Sequence, residues 1–444
     1  MDLQKITTFN PWLSDKTFVF SESQLKKRFI YKKLKNSLSL NRIVSISGLR
    51  RVGKTTLIKQ LAQELLSDKQ KVYYYQFSQE DNQLKEILDY FFSRKIKDIY
   101  TAKVYIFLDE LQYVDNWQET LKYYYDLNQK IQFIVTGSAN LYSKKEVKES
   151  LAGRHIDFNL GLLSFDEYIY FKHNYKTNSE LHFNSGVESL IENIKQRSQE
   201  LRIYKDEIWD FFIQGEFLET IDYQEYAYIK QYFKEDVINK ILAHDISIFE
   251  VLKNEEIAFL YKLLLQNTSQ LLSYSRISAD TSLSLPTVRK YTLILIKSFL
   301  ISVLKNDLRS IRSQQKSFDK VFSNSINLMC ANLSISNVQD LSFTDFKGHI
   351  VENYIFNQIS KIYSDLDEVL FYNKTEKEVD FILKTGSNIL PIEVKTTDRY
   401  RKTYSNHLLY YAQKNNLQHV VVFYSGEERV MQRDGVWIHL VNWV

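Results

Sequence analysis

The segment GLRRVGKTT, residues 48–56, has the residue types and spacing that hold a phosphate group. Its two glycines permit a tight backbone that turns N–H groups toward phosphate oxygens, and the start of a following helix adds its dipole. Lys54 can reach the β- and γ-phosphates of ATP, and the Thr55 hydroxyl can ligate Mg²⁺. The segment therefore predicts an ATP site with these contact residues: Gly48, Arg51, Val52, Gly53, Lys54, Thr55 and Thr56.

An acidic pair follows the apolar run KVYIFL, and a phosphate-binding loop needs such a pair on a neighbouring strand. Asp109 is expected to hold Mg²⁺, usually through water, and Glu110 is expected to orient the attacking water for hydrolysis. The next apolar run, IQFIV, leads into hydroxyl and amide groups. One of these could contact the γ-phosphate, or all could simply close a turn: Thr136, Ser138 and Asn140.

A second set of chemical groups lies in VDFILKTGSNILPIEVK, residues 379–395, which predicts two short strands joined by a turn. Asp380 and Glu393 could bind Mg²⁺, which would polarise a phosphodiester and lower the pKa of a bound water. Lys395 would orient that water or offset charge on phosphorus. Glu352, on a preceding amphipathic helix, could complete the metal site. The alternative is a half-exposed hairpin with a surface ion pair.

Side chains alternate between the two faces of a regular strand, and this fixes the expected geometry of the hairpin. Glu393 and Lys395 are two residues apart and should share a face. Asp380 should point away from the apolar side chains of its own strand, and antiparallel pairing can bring it beside Glu393. The apolar side chains expected on one face are Val379, Phe381 and Leu383.

Strand-like and helix-like runs alternate around the first motif, which is the context that a phosphate-binding loop requires. RIVSIS, residues 42–47, is typical of a buried parallel strand, and TTLIKQLAQELL, residues 55–66, has leucines at helical spacing. Strands starting near residues 43, 72, 104 and 132 predict an α/β sheet with helices on both faces. The ligand of such a sheet lies at the carboxyl ends of its strands.

The rest of the chain is expected to divide after an ATPase domain at 1–175. A helical connector or lid would span 176–254, a winged-helix domain 255–325 and a further α/β domain 326–444. Within 255–325, Pro286 follows a short turn near a helix start, which is typical of a helix-turn-helix.

Basic residues in this middle region could contact DNA, because the second helix of a DNA-binding helix-turn-helix enters the major groove. The alternative is a winged helix that packs against the ATPase domain and keeps its basic residues solvated. Wing strands are expected within 306–316, and Lys320 extends a modest phosphate-binding footprint. The nucleic-acid contacts expected are Arg289, Lys290, Arg309 and Arg312.

Several longer motifs occur in a fixed order: GLRRVGKTTL, FLDELQYVDNWQETLKYYYD, IVTGSANL, SLAGRHIDFNLGLLSFDEY, EVDFIL and PIEVK. From about residue 25 to about residue 424, the chain resembles prokaryotic AAA+-type ATPases that carry a C-terminal restriction-endonuclease-like domain of the PD-(D/E)xK type. The resemblance implies an α/β fold with a P-loop AAA+-like core, a helical and winged-helix middle region and a nuclease-like C-terminal domain. It implies nuclease roles for Glu352, Asp380, Glu393 and Lys395.

The same resemblance implies that Arg154, in LAGR, contacts the γ-phosphate of ATP and stabilises charge in the transition state. Arg154 could act within its own subunit or on a neighbour. The second case requires a homo-oligomer.

Composition limits these hypotheses. The 444 residues carry a net charge of +4, which is too balanced to imply a nucleic-acid partner by itself. A single cysteine, Cys330, excludes an intramolecular disulfide framework and a multi-cysteine zinc site. The N-terminus lacks the apolar core of a signal peptide, and no run reaches the roughly 18 apolar residues that span a bilayer. A soluble cytoplasmic protein without a membrane association is expected.

Two functions fit these observations. The first is an ATPase that couples nucleotide state to DNA binding or to Mg²⁺-dependent DNA processing. The second is a nucleotide-gated switch whose nuclease-like domain is catalytically silent and docks a protein partner.

Overall fold

The structure, a computed structural model, describes residues 3–92, 103–128, 130–138, 151–178, 186–246, 253–308, 313–314, 317–335, 337, 339–340, 346–362, 369–374 and 377–444. The chain divides into two compact units, Met1–Leu162 and Leu163–Val444. Among the described helices, none is both long enough and apolar enough to cross a membrane.

The first unit contains a five-stranded parallel sheet in the order β2-β3-β4-β1-β5. Its strands are β1 Ile43–Ser47, β2 Lys71–Gln76, β3 Val104–Asp109, β4 Ile131–Thr136 and β5 His155–Asn159. Its helices are α1 Leu3–Phe9, α2 Tyr31–Ser37, α3 Lys54–Ser67, α4 Leu84–Tyr90 and α5 Trp117–Leu127. The four expected strands are confirmed, and β5 adds an edge strand beside β1.

The central strands of this sheet are apolar because helices cover both faces of a parallel sheet. Every residue of β1, β3 and β4 is buried. Leu88 of α4 and Leu121 of α5 pack in one cluster with Ile106 of β3. Because these strands are parallel, their carboxyl ends lie at one edge of the sheet. The predicted catalytic side chains follow at that edge.

The second unit contains a six-stranded mixed sheet, β13-β14-β12-β11-β10-β9, and a three-stranded antiparallel sheet, β6-β8-β7. Its strands are β6 Leu271–Leu272, β7 Ile301–Leu304, β8 Asp319–Ser323, β9 Leu370–Lys374, β10 Glu378–Thr385, β11 Asn388–Val394, β12 His419–Tyr424, β13 Arg429–Arg433 and β14 Val436–Asn442.

Nine labelled helices accompany these sheets in the described part of the second unit. They are α6 Phe165–His173, α7 Val187–Leu201, α8 Tyr226–Gln231, α9 Asn254–Gln266, α10 Tyr274–Thr281, α11 Leu285–Lys297, α12 Ile326–Leu333, α13 Lys347–Ile362 and α14 Asn406–Lys414. Shorter or irregular helical segments lie between α7 and α9: Ile208–Asp210, Phe211–Gly215, Tyr232–Asn239 and Ile241–Asp245.

The two helices expected around the turn before Pro286 are present as α10 and α11. Ser273 and Ser284 occupy their N-cap positions, and each side chain accepts a backbone N–H bond from the first turn. Pro286 lies in the first turn of α11, where a missing N–H costs nothing. Arg289 and Lys290 are exposed on this helix, as a phosphate-contacting surface requires.

Most of the segment 306–316, where wing strands are expected, lies outside the described residues. β7 and β8 pair with each other and flank that segment. β7 and β8 have apolar and β-branched side chains in ISVL and KVF, which favour strands. Arg309 and Arg312 lie outside the described residues.

Candidate functional site

The phosphate-binding loop joins β1 to α3 and depends on its glycines. A Cβ atom on Gly48 would lie 2.3 Å from the backbone oxygen of Leu160, so only glycine lets the two segments approach. Gly53 has φ 95° at the start of α3, and Arg51 also has a positive φ of 67°. These conformations curve the loop so that its backbone N–H groups can face an anion.

Lys54 and Thr55 begin α3 and point into this loop. The Lys54 ammonium donates hydrogen bonds to the carbonyl oxygens of Gly48, at 3.0 Å, and Leu49, at 2.8 Å. The Thr55 hydroxyl donates to Asp109 Oδ2 at 2.8 Å. The two groups expected to flank Mg²⁺ are therefore adjacent.

Asp109, at the carboxyl end of β3, is fully buried and accepts hydrogen bonds from three hydroxyl groups. Thr55 is one donor, Tyr74 donates at 2.7 Å, and Thr136 donates to the other carboxylate oxygen. Burial raises the pKa of Asp109, and the neighbouring Glu110 adds to this effect, while the three hydroxyl groups oppose it. A cation at this carboxylate would offset its burial.

The other groups expected near the γ-phosphate have different surroundings. Thr136 contacts Asp109, so its hydroxyl supports the carboxylate that is expected to hold Mg²⁺. The Ser138 hydroxyl is buried and has no hydrogen-bond partner among the described residues. Asn140 lies outside the described residues. A contact between the Ser138 hydroxyl and the γ-phosphate stays a prediction.

Glu110 has a left-handed backbone conformation, with φ 56°, immediately after β3. One of its carboxylate oxygens accepts a hydrogen bond from Gln112 Nε2 at 2.5 Å. The Gln112 side-chain oxygen in turn accepts from the backbone N–H of Ser138 at 3.2 Å. Gln112, which sequence reasoning missed, thus holds the proposed water-orienting carboxylate against the end of β4.

Arg28 and Tyr74 are two further residues that sequence reasoning missed. The buried Arg28 guanidinium donates to the carbonyl of Val52, at 3.0 Å, and to that of Gly161, at 3.0 Å. It therefore ties the phosphate-binding loop to the segment after β5. Arg28 follows two lysines before the first strand and gives no local signal of this role, and Tyr74 is one tyrosine among three in KVYYYQF.

Arg154 lies at the start of β5, where the backbone N–H of Ile43 donates to its carbonyl. Its guanidinium forms a bidentate pair of hydrogen bonds with the exposed Asp126 carboxylate, at 2.8 and 3.1 Å. β5 runs parallel to β1 and Arg154 is level with Arg42, so Arg154 is at the edge of the sheet opposite Gly48, roughly 20 Å away along the strands at 3.3 Å per residue. This position does not favour contact with the γ-phosphate of the same subunit, and both action within the subunit and action on a neighbour stay predictions.

Replacement of Arg154 with alanine should therefore leave ATP turnover unchanged at protein concentrations where the chain is monomeric. An arginine supplied to a neighbour contributes about 10³–10⁵-fold to turnover, so a loss would appear only on assembly. Steady-state hydrolysis over a range of protein concentrations checks this, with Asp126→Ala as the control that frees the arginine without removing it. A large loss in the monomeric protein would contradict the geometry.

The hairpin in the second unit brings its three predicted chemical side chains together. β10 and β11 are antiparallel, with Phe381 opposite Ile392. Asp380 Oδ2 accepts a hydrogen bond from the backbone N–H of Val394 at 2.8 Å. Lys395 Nζ lies 2.5 Å from Glu393 Oε1 and 3.9 Å from Asp380 Oδ2.

The expected alternation along β10 fails at a β-bulge. The register with β9 shifts between Val379 and Ile382, and both of these residues pack in one apolar cluster with Leu408 of α14. Phe381 instead packs against the ring of Phe356 on α13, with centroids 6.5 Å apart. Val379 and Phe381 therefore do not share a face, because the bulge inserts an extra residue beside Asp380.

Two further charged residues, Lys320 of β8 and Glu378 of β10, join this site. Lys320 Nζ lies 3.0 Å from Glu352 Oε1 of α13, 2.7 Å from Glu378 Oε1 and 4.0 Å from Asp380 Oδ1. The expectation that Lys320 belongs to a phosphate-binding surface is wrong, because only 1% of the residue is exposed. Its carboxylate partners are distant in sequence, so no local pattern could reveal them.

The carboxyl groups of this site are held mostly away from water. Burial, reinforced by Asp380, raises the pKa of Glu352 to about 7 and that of Glu393 to about 8. Burial disfavours the ammonium of Lys395, but Asp380 and Glu393 outweigh burial and raise its pKa. Glu393 Oε2 is buried without a hydrogen-bond partner among the described residues.

These residues fit a Mg²⁺ ion that takes few protein ligands. Among the described residues, no group of three or more His, Cys, Asp or Glu side chains could hold a metal ion. Mg²⁺ is usually bound by one or two carboxylates together with water and substrate phosphates. Asp380 and the orphaned oxygen of Glu393 supply two such carboxylates.

Glu393→Gln should raise the melting temperature at pH 8 by roughly 1–4 °C, because each kcal/mol of added stability corresponds to about 1 °C for a chain of this size. Between pH 4.5 and 8 the unfolded carboxyl group is ionised while the folded one keeps its proton, so the wild-type fold loses stability as pH rises. Glutamine is neutral throughout and avoids this loss. Thermal unfolding from pH 5 to 8 checks this, with the exposed Glu427→Gln as control. Equal melting temperatures at every pH would contradict it.

Comparison with known proteins agrees with the geometry of the first unit. Residues 40–169 match the family model described as an AAA domain. This segment is a P-loop domain of the AAA type. Beyond the AAA domain, residues 206–339 and 347–443 match two models that are each described as a domain of unknown function, DUF8612 and DUF4143.

Similarity to whole relatives extends beyond the AAA domain. Uncharacterized protein MJ1544 of Methanocaldococcus jannaschii is 28% identical over 391 residues, which cover 83% of this chain and 80% of that protein. An uncharacterized protein of Haemophilus influenzae is 24% identical over 418 residues, which cover 90% and 93%. AMPPCP-bound DnaA from Aquifex aeolicus aligns at 15% identity over 65% of this chain and 92% of that one, with a TM-score of 0.25.

Proposed function

We propose that this chain hydrolyses ATP in its AAA domain and couples nucleotide state to binding or Mg²⁺-dependent cleavage of DNA. The observation that carries the proposal is the convergence of Asp380, Glu393 and Lys395 at one end of a hairpin, in a chain that also has an AAA domain. A surface ion pair alone would not require a buried carboxyl group with an orphaned oxygen.

Within the AAA domain, each residue has a separate role. When ATP binds, the Lys54 ammonium would leave the carbonyl oxygens of the loop and donate hydrogen bonds to the β- and γ-phosphate oxygens. The backbone N–H groups of the loop would bind the remaining phosphate oxygens. Thr55 and Asp109 would hold Mg²⁺, which offsets charge on the phosphates when bound. Glu110 would orient the attacking water, and Gln112 would fix the position of that carboxylate.

In the hairpin site, Asp380 and Glu393 would hold a Mg²⁺ ion, which when bound supplies positive charge to the scissile phosphodiester. Lys395 would orient the attacking water or stabilise negative charge on phosphorus, because its ammonium lies beside both carboxylates. Glu352 would act on the same site from α13. The exposed Arg289 and Lys290 of α11 would contact the DNA backbone.

The test measures ATP hydrolysis and DNA cleavage in the same reactions, with and without DNA, in the presence of Mg²⁺ or Mn²⁺. Lys54→Ala should abolish ATP turnover, while Lys59→Ala, on the same helix but paired with Glu22, is the matched control. Glu393→Ala should abolish cleavage. If DNA leaves turnover unchanged and neither metal supports cutting, the proposal is wrong.

A second function is favoured by one observation. Lys320 already supplies a positive charge to the carboxylates of the hairpin site. These carboxylates could therefore be stable without a metal ion, as expected for a domain without catalytic activity. The chain would then be a nucleotide-gated switch that docks a protein partner. A single protein partner that remains bound after nuclease treatment, and depends on Lys54, would support this function.

A further inference from the structure

Lys320 is a buried cation among three carboxylates of the hairpin site. Its side chain is 2% exposed, and its ammonium lies within 4.0 Å of Glu352, Glu378 and Asp380. Burial disfavours the charged form, but these three carboxylates outweigh it and raise the pKa of Lys320 well above its usual range. Lys320 therefore carries a positive charge at every physiological pH.

Asp380 thus lies between two ammonium groups, with Lys320 at 4.0 Å from one carboxylate oxygen and Lys395 at 3.9 Å from the other. Glu393, by contrast, contacts Lys395 through one oxygen and leaves the other, buried oxygen without a partner in the described structure. A divalent cation held by Asp380 and Glu393 would be repelled by Lys320 across a short, poorly hydrated distance. Asp380 therefore cannot both neutralise Lys320 and give its full negative charge to a divalent cation.

We propose that Lys320 is an internal counter-ion that competes with a divalent cation for the hairpin site and keeps its metal affinity low. This inference rests on the proposed metal site at Asp380 and Glu393. β8, which carries Lys320, belongs to the β6-β8-β7 sheet, while β10 and β11 belong to the other sheet.

The test compares Mn²⁺ binding to the full-length wild type and to Lys320→Met, by electron paramagnetic resonance without nucleotide. Every protein in this test, including the reference protein that keeps Lys320, also carries Thr55→Ala. This substitution removes the hydroxyl that is expected to bind metal in the AAA domain. Lys320→Met should bind Mn²⁺ at least about tenfold more tightly, because the substitution removes a positive charge next to the proposed metal site. Lys374→Met is the matched control, because Lys374 also contacts Glu378, at 3.0 Å, but from an exposed position.

Loss of Lys320 leaves buried carboxylates without their cation and could prevent folding. The double variant Lys320→Met/Glu352→Gln removes one charge of each sign and keeps Asp380 and Glu393. It should also bind Mn²⁺ more tightly than the wild type, and adding Glu393→Gln should remove that gain.

Two results would overturn the inference and have different consequences. Equal, tight Mn²⁺ binding by the wild type and both Lys320 variants would show that Lys320 does not compete, while the metal site itself would stand. The absence of Mn²⁺ binding at the hairpin in all of these proteins would remove both the competition and the proposed metal site.

Discussion

ATP turnover is expected to fall by about 10²–10⁴-fold when Glu110 is replaced by glutamine, while ATP binding is retained. The Glu110 carboxylate is proposed to orient the attacking water, because it follows Asp109 directly at the carboxyl end of β3. Glutamine has the same size and can still accept the hydrogen bond from Gln112, so the local structure should persist. Only the negative charge that polarises the water is lost.

Steady-state hydrolysis and equilibrium binding of a fluorescent ATP analogue separate the two effects. The exposed Glu119 of α5 provides the control, since Glu119→Gln makes the same chemical change away from the phosphate-binding loop. Glu110→Gln should bind ATP with wild-type affinity and show a lower kcat, because the interaction is made mainly in the transition state. Unchanged turnover would remove Glu110 from the mechanism, and weaker ATP binding would show that its main role is structural.

The phosphate-binding loop was predictable because its signals are local. Gly48 and Gly53 are needed for backbone geometry, and Lys54 and Thr55 follow them directly on α3, so the chemistry and its scaffold are adjacent in sequence. Asp109 was predictable for a related reason: an apolar strand ends at its carboxylate. These positions depend on short-range geometry that a strand, loop and helix always share.

The groups that support the loop were not predictable, because they come from distant segments. Arg28 bonds to Val52 and Gly161, and Tyr74 bonds to Asp109 across neighbouring strands. The position of Arg154 was missed for another reason. The resemblance supplied a role, but not the strand direction that carries the residue to the opposite edge of the sheet.

The hairpin site also combines residues that could be predicted from local sequence with features that depend on distant segments. Asp380, Glu393 and Lys395 could be predicted together because a two-residue period and a short turn bring them to one end of the hairpin. The bulge at Asp380 could not be predicted, since it depends on the pairing of β10 with β9. Nor could Lys320, because it enters from the other sheet of this unit.

Cleavage of DNA is expected to fall by about 10³-fold or more in Asp380→Asn, because the change removes half of the carboxylate charge proposed to hold Mg²⁺. Asparagine can still accept the hydrogen bond from the Val394 backbone N–H through its side-chain oxygen. The substitution also leaves Lys395 beside Glu393. The loss should therefore reflect charge at the metal site rather than collapse of the hairpin.

Conversion of supercoiled plasmid to nicked or linear forms, with Mg²⁺ or Mn²⁺, measures this effect in the full-length protein. The exposed Asp398→Asn, close in sequence to the same hairpin, is the matched control and should cut like the wild type. ATP turnover without DNA should be unchanged in both variants, because neither residue belongs to the AAA domain. Cleavage that survives Asp380→Asn would identify a contaminating nuclease or a different catalytic site. If Asp380→Asn removes cleavage while Asp398→Asn preserves it, the bulged strand β10 carries the catalytic carboxylate.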